Sequence, residues 1–205
     1  MDEFIKSFLM IFVLLNPFIM SIYMLEIVKA MDYKTFAHQM VRAIIISFVV
    51  FFLFAWAGDM IFTDILQIRF LAFLIFGGII FLIIGIRLIL GTGPAIEPPK
   101  KASDHVSASI AMPYIVGPGT ISASVIAGSR LSLFPALLSI FLALNLSLFA
   151  LLAFKRYHDF LQQHNEKLLQ RYTEIAGRVT ALFTGSFAID MIIKGIENWL
   201  SQYTF

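Results

Sequence analysis

The sequence predicts an all-α membrane protein of six transmembrane helices, arranged as two inverted three-helix repeats. Three observations favour this fold. Apolar residues make up 60% of the 205 residues and charged residues only 14%, which is far from the balance of a soluble domain. Long apolar segments recur along the chain, and a proline-centred break lies at a similar depth in two of them.

Six apolar segments supply the predicted spans, since a bilayer core requires roughly 20 apolar residues per helix. They cover residues 7–27, 41–57, 70–90, 106–127, 133–154 and 179–200. Because the segments are continuous rather than alternating, the pattern predicts helices and not a barrel. The first segment follows Asp2 and Glu3 instead of a basic start, so we expect it to be retained and not cleaved.

Basic residues orient these spans. Alternate connections hold eleven Lys and Arg residues, whereas the connections on the opposite face hold four. The positive-inside rule therefore places the richer connections in the cytoplasm and both termini outside. We expect a multi-pass protein of the inner cell membrane.

Composition also argues against several kinds of chemistry. The chain has no Cys, which rules out disulfides and thiolate sites. Its histidines, His38, His105, His158 and His164, do not cluster and are predicted to be solvated in the cytoplasmic connections, so no metal site is expected. A formal charge of +2 favours no nucleic-acid partner, and no intramembrane catalytic motif is present. We therefore expect neither an enzyme nor a cofactor.

The predicted boundary between the two halves is the Pro- and Gly-rich cytoplasmic linker at residues 91–103. It separates a first three-helix repeat, residues 1–90, from a second, residues 104–205. Because each repeat has an odd number of spans, the second must enter the membrane in the opposite sense. The two halves are therefore predicted to be related by a pseudo-two-fold axis in the membrane plane.

Two weak sequence matches indicate this duplication. Aligning Pro17 with Pro118 relates spans one and four at an offset of 101 residues. Aligning Gly77 with Gly185 relates spans three and six at an offset of 108 residues. Neither match is specific alone, but the two offsets are close enough to favour one internal duplication.

The proline breaks are the predicted binding site. Proline lacks an N–H and clashes with the carbonyl four residues back, so both helices should unwind there. Unpaired backbone groups in hydrocarbon are costly, and such breaks persist only inside protein or beside a polar cavity. A half-helix N-terminus suits a carboxylate and opposing carbonyls suit an ammonium, which favours a small zwitterion as ligand. The predicted binding residues are Asn16, Pro17, Phe18, Gly117, Pro118, Gly119 and Thr120. Kinks that serve packing alone are the alternative.

Asp190 and Lys194 lie near the middle of the sixth span, one helical turn apart. Because charges in hydrocarbon are costly, we expect both to face the interior of the bundle and each other. Two interpretations stay open. Asp190 takes up a proton during a transport cycle, or the two residues form a structural ion pair.

Four motifs carry a resemblance to a known family. They are Asn16-Pro17-Phe18, the stretch from Phe76 to Ile89, IAMPYIVGPGTI at residues 110–121, and Gly195-Ile196. The chain resembles the MarC family of integral membrane proteins, whose relatives include the small neutral amino-acid transporter SnatA. The resemblance covers essentially the whole chain. It implies a 3+3 inverted repeat with discontinuous first and fourth helices, and proton-linked transport of glycine, alanine or similar solutes.

Ile19 and Ile22 depart from the family pattern, which usually has Gly and Pro at these positions. The departure implies a narrower or reshaped pocket. The predicted function is secondary transport of small neutral amino acids, with the lipid bilayer as surroundings and a homo-oligomer compatible with the sequence. A passive channel or exporter for small solutes, or a membrane assembly protein that does not transport, are the alternatives. A channel usually repeats polar residues along one helix face, whereas here they concentrate at the breaks.

Overall fold

A computed structural model describes residues 2–65, 67–90, 107, 111, 115–164 and 166–201. Regular secondary structure in these ranges is helical, as predicted. The helices are α1 (Asp2–Leu15), α2 (Pro17–Tyr23), α3 (Leu25–Ala30), α4 (Tyr33–Met60), α5 (Phe70–Leu90), α6 (Pro118–Arg130), α7 (Leu133–His164) and α8 (Glu166–Ser201). A short π-helical segment, Ile61–Ile65, continues α4. The predicted linker at residues 91–103 lies outside the described residues.

Three helices in the described part of the chain are long and apolar enough to cross a membrane. Their apolar portions are Tyr33–Gly58, Phe70–Arg87 and Leu133–Phe160, which confirms the second, third and fifth predicted spans. The first predicted span consists of α1, α2 and α3 in succession. That the first, fourth and sixth predicted segments cross the membrane stays a prediction.

Asp32 determines where α4 begins, well before the predicted start of the second span. Its carboxylate accepts hydrogen bonds from Lys34 N and Thr35 N, both at 3.2 Å. Such an N-cap satisfies N–H groups that have no partner within the helix. Hydrogen bonding by the Thr35 side chain, and then by its N–H, lowers the pKa of Asp32 below its ordinary value. The helix start is thus set by an exposed polar cap and not by the apolar pattern.

The core is shared by α1, α4, α6 and α7. Helix α1 packs along α7, and α4 packs along both α6 and α7. Phe36 and Phe51 of α4 and Ile140 and Leu144 of α7 are fully buried between them. This arrangement leaves α5 and α8 as a closely packed pair beside the core.

Helices α4 and α7 bury the same positions when their sequences are displaced by 100 residues. The buried pairs are Phe36 and Ala136, Met40 and Ile140, Ala43 and Ala143, Ile44 and Leu144, Ser47 and Ser147, and Phe51 and Leu151. The same displacement relates buried residues before the two breaks: Ser7 and Ser107, Ile11 and Ala111, and Leu15 and Ile115. Two segments with few identical residues therefore bury equivalent helix faces.

Glycines bring the backbones of α5 and α8 together. A methyl group at Gly78 would lie 2.7 Å from Ala188 O, and one at Gly85 would lie 3.2 Å from Gly185 N. Neither position has room for a side chain without a shift of backbone. Small residues at a helix contact are the usual means of close packing in membranes. Glycine on either helix therefore lets the two backbones approach closely.

Candidate functional site

The first helix is interrupted at Asn16, as predicted. Helix α1 ends at Leu15 and α2 begins at Pro17, and Asn16 between them has φ of 38°. Asn adopts this left-handed conformation more readily than most residues. The Asn16 N–H still donates to Phe12 O, and the Asn16 carbonyl still accepts from Met20 N, both at 3.0 Å. Because Pro17 has no N–H, the break redirects the helix at little cost in hydrogen bonds.

The second break lies immediately before α6. Gly117 is extended, with φ of −120° and ψ of 170°, and the helix begins at Pro118. The buried Thr120 hydroxyl accepts from Gly117 N and donates to Ile115 O, both at 2.9 Å. This hydroxyl stabilises the break from within. The sequence predicts that Thr120 binds the ligand, and that contact stays a prediction.

The two breaks lie close together. A methyl group at Gly119, in the first turn of α6, would lie 3.6 Å from Leu14 Cδ2, two residues before Asn16. It would also lie 3.2 Å from Phe81 Cε2 and 3.5 Å from Met191 Sδ. Helices α1, α5, α6 and α8 therefore meet at one glycine. Sequence reasoning missed the three apolar neighbours, because each comes from a different segment and none belongs to a recognisable motif.

A buried serine follows each break at the same relative position. Ser21 donates to Phe18 O at 2.6 Å, and Ser122 donates to Pro118 O at 2.8 Å. Each hydroxyl uses its proton on a carbonyl of the break and keeps acceptor capacity. The serines therefore bond to carbonyls in the first turn of the helix that follows each break, in both halves of the chain.

The start of α6 supplies backbone donors. No earlier turn of the helix provides carbonyls for the N–H groups of its first turn, which include those of Gly119 and Thr120. This end of the helix also carries a partial positive charge from the aligned peptide dipoles. At the end of α1, Val13 O has no helical donor four residues later, because Pro17 has no N–H. The two breaks therefore carry backbone groups of opposite polarity.

Asp190 and Lys194 lie on α8, close in sequence to Met191 but on another face. Lys194 Nζ is 2.6 Å from Asp190 Oδ2, so the expected pairing is confirmed. Their side chains are 53% and 61% exposed, respectively, so the expectation that they face the interior is wrong. The interior positions of α8 are taken by small residues such as Ala188 and Gly195, which the close approach of α5 requires.

Comparison with known sequences identifies the family. The profile described as "MarC family integral membrane protein" matches residues 1–200. The chain belongs to the MarC family. It is similar to a "UPF0056 membrane protein" of Aquifex aeolicus (strain VF5), at 24% identity over 97% of this chain and 94% of that protein. It is also similar to a UPF0056 membrane protein of Methanocaldococcus jannaschii, at 26% identity over 98% of each chain. No solved structure matches the sequence significantly.

This MarC protein also buries a charged cluster that sequence reasoning missed. Lys155 is 3% exposed, and its Nζ donates to Val28 O and to Asp159 Oδ1, both at 2.7 Å. His158 is fully buried, with Nδ1 3.5 Å from Asp159 Oδ1. The prediction that His158 is solvated is therefore wrong. Helix α7 continues past the predicted end of its span at residue 154, and this extension lies against the end of α3.

The remaining sequence predictions concern three histidines and two isoleucines. His38 is exposed, as predicted. His105, and the side chains of His164, Ile19 and Ile22, lie outside the described residues. Across the part of the MarC chain that the structure describes, no group of three or more His, Asp or Glu side chains is placed to hold a metal ion.

Proposed function

We propose that this MarC protein is a secondary transporter that carries small neutral amino acids, such as glycine and alanine, across the inner cell membrane. The observation that carries the proposal is the meeting of the two helix breaks, where Leu14 of α1 lies beside Gly119 of α6. Paired discontinuous helices near the membrane centre are where many secondary transporters bind substrate and coupling ion.

The polarity of the breaks favours a zwitterion. The substrate carboxylate would accept from N–H groups in the first turn of α6, and the ammonium would donate to carbonyls at the end of α1. Asn16, Pro17 and Phe18 would line one side, with Gly117, Pro118, Gly119 and Thr120 on the other. The apolar side chains around Gly119 would contact the substrate side chain and favour a short one.

Packing supports the proposed inverted repeat. The shared burial pattern of α4 and α7 is the pattern expected of duplicated spans. A methyl group at Gly85 would lie 3.3 Å from Ala181 O, and one at Gly195 would lie 3.3 Å from Leu71 O. Gly195 is Gly85 displaced by 110 residues, and Ala181 is Leu71 displaced by the same number, so the two contacts are equivalent under exchange of the repeats. The offset predicted from the sequence is 108 residues. Six spans with both termini outside complete the proposed topology.

Proton linkage belongs to the proposal through Asp190 and Lys194. The pair lies on a face of α8 that points away from α5, so it does not contact the breaks from that position. Its influence on substrate would pass through α8, which places Met191 beside Gly119. The coupling role thus predicts an effect on accumulation against a gradient rather than on binding.

Uptake by purified protein in liposomes tests the proposal. Labelled glycine, alanine, serine and leucine are supplied with and without an imposed proton gradient. We expect accumulation of the small amino acids above the external concentration when the gradient is present. Equilibration without accumulation would indicate a passive channel, and no uptake of any solute would favour an assembly protein.

A pair of valine variants locates the site. Gly119→Val introduces a branched side chain against Phe81 and Met191, and we expect it to abolish glycine binding while helix content is unchanged. Gly185→Val is the matched control, because a methyl group there meets no atom within 4 Å. Normal binding in Gly119→Val would place the substrate elsewhere.

A further inference from the structure

The face of α8 that carries Asp190 points away from α5, its main packing partner among the described helices. Ala188 and Ile192 contact Gly78 of α5, and at 100° per residue both lie nearly opposite Asp190 on the helix. Asp190 and Lys194 keep more than half of their side-chain surface exposed. Nothing within the described chain covers this ion pair.

The depth of the pair follows from its packing partner. Helix α8 runs antiparallel to α5, with Gly185 beside Gly85, Ala188 beside Gly78, and Gly195 beside Leu71. Asp190 is therefore level with Gly78, near the middle of the apolar portion Phe70–Arg87 and roughly 12 Å from either end of it. The charges lie at the depth of hydrocarbon.

Lys194 does not reach toward the membrane surface. Helical side chains lean toward the helix N-terminus, which for Lys194 is the direction of Asp190 and the membrane centre. The 2.6 Å contact with Asp190 agrees with this direction. Escape of the ammonium to water, which long basic side chains near helix ends often achieve, is therefore opposed by the geometry. Phe183, Ile189 and Ile193 around the pair are exposed and apolar, whereas Ser186 and Glu197 on the same face are exposed and polar.

We propose that a second copy of this chain covers this face, with α8 packed against α8 of the partner about a two-fold axis along the membrane normal. A two-fold interface must be complementary to itself. About this axis Asp190 lies at the height of the partner subunit's Asp190, and Lys194 Nζ, which leans to that same height, can approach both carboxylates. Each ammonium then bridges two carboxylates, and four charges form a neutral network shielded from lipid.

Dimerisation in lipid bilayers tests the proposal. Single-molecule photobleaching of labelled protein, as a function of protein density, gives the dissociation constant. We expect dimers for the unaltered chain and roughly a tenfold or greater rise in the dissociation constant for Asp190→Asn and for Lys194→Gln. Combining Asp190→Lys with Lys194→Asp restores an acid and a base one turn apart, so we expect this swapped chain to dimerise nearly as well as the original.

Cross-linking provides a test that leaves the charges intact. The chain has no Cys, so Ser186→Cys, one turn before Asp190 on the same face, would carry its only thiol. We expect oxidation in native membranes to yield a disulfide-linked dimer. Phe149→Cys is the control, because residue 149 is 71% exposed on α7 but outside the proposed interface.

Three outcomes would overturn the proposal. They are a monomer at every protein density, neutral variants that dimerise as well as the original chain, and equal cross-linking of the two cysteine variants. If a neutral variant fails to fold, the swapped chain and the Ser186→Cys chain still decide. A larger complex containing another protein would assign the face to that protein instead.

Discussion

Two lysine–aspartate pairs of identical spacing differ in almost every other respect. Lys155 and Asp159 on α7 are 2.7 Å apart, and Asp190 and Lys194 on α8 are 2.6 Å apart. Lys155 is 3% exposed, whereas Lys194 is 61% exposed. The buried ammonium has a second partner, the Val28 carbonyl of α3. Spacing along a helix therefore predicts that two charged side chains form an ion pair, but not whether that pair is buried or which other groups it contacts.

Sequence order sharpens this contrast. An acid that precedes a base by four residues suits the helix dipole, and Asp190 and Lys194 have this order. Lys155 precedes Asp159, which is the less favourable order. The position of Lys155 is instead explained by Val28 near the C-terminus of α3, where helix carbonyls attract a cation. The geometry of the Asp190–Lys194 pair follows from its own helix, whereas the position of Lys155 follows from the packing of a distant segment.

Removing the buried lysine is expected to have the largest effect. Lys155→Met would leave the Val28 carbonyl and the Asp159 carboxylate without their shared donor, and we expect a loss of about 3 kcal/mol in the free energy of unfolding. Thermal unfolding in detergent measures the change. Arg156→Met is the matched control, since it removes the same charge from an exposed neighbour. Equal stability of the two variants would show that the Val28 contact contributes nothing.

Breaking the exposed pair should matter much less within one chain. In protein dilute enough to be monomeric in detergent, Asp190→Asn should cost less than about 1 kcal/mol, because both partners lie on α8 and separating the helices leaves the pair in nearly the same surroundings. Thermal unfolding of this variant beside Lys155→Met compares the two pairs directly. A loss as large as that of Lys155→Met would mean that the Asp190 face is covered within the monomer.

The smallest effect is expected at the start of α4, where Asp32 has neither burial nor a cation. Because its pKa lies below the ordinary value of 3.8, its capping contributes to stability above that pH and is lost as the pH falls through the lower, folded-state pKa. Asp32→Ala should lower the unfolding temperature slightly at pH 7, and this difference should disappear once the pH has fallen below the folded-state pKa of Asp32. Asp32→Asn keeps a capping oxygen and should show a weaker pH dependence. A difference between Asp32→Ala and the unaltered chain that persists at low pH would contradict this account.

Local signals explain what sequence reasoning predicted well. The breaks at Asn16 and Gly117 depend on the prolines that follow them, and the spans around α4, α5 and α7 depend on apolar length. Both kinds of signal are contained in a few adjacent residues. The pairing of Asp190 with Lys194 likewise requires only helical spacing.

Contacts between distant segments explain what it missed. The burial of Lys155 depends on a carbonyl 127 residues away along the chain. The outward direction of Asp190 depends on which face of α8 the glycines of α5 contact. The neighbours of Gly119 come from three other helices, so no spacing rule collects them. Sequence patterns thus located the breaks, and packing determined what surrounds them.

The close approach of α5 and α8 has a mechanical consequence. Helices whose backbones touch at Gly78 and Gly85 cannot slide past each other without steric clash, so they form a stiff two-helix rod. Pro118 lies directly against Gly77 on that rod, where a side chain would overlap the proline ring. A tilt of the rod would therefore press on the second break at once. Any change in the angle between this rod and the core is thus transmitted to the second break through Pro118.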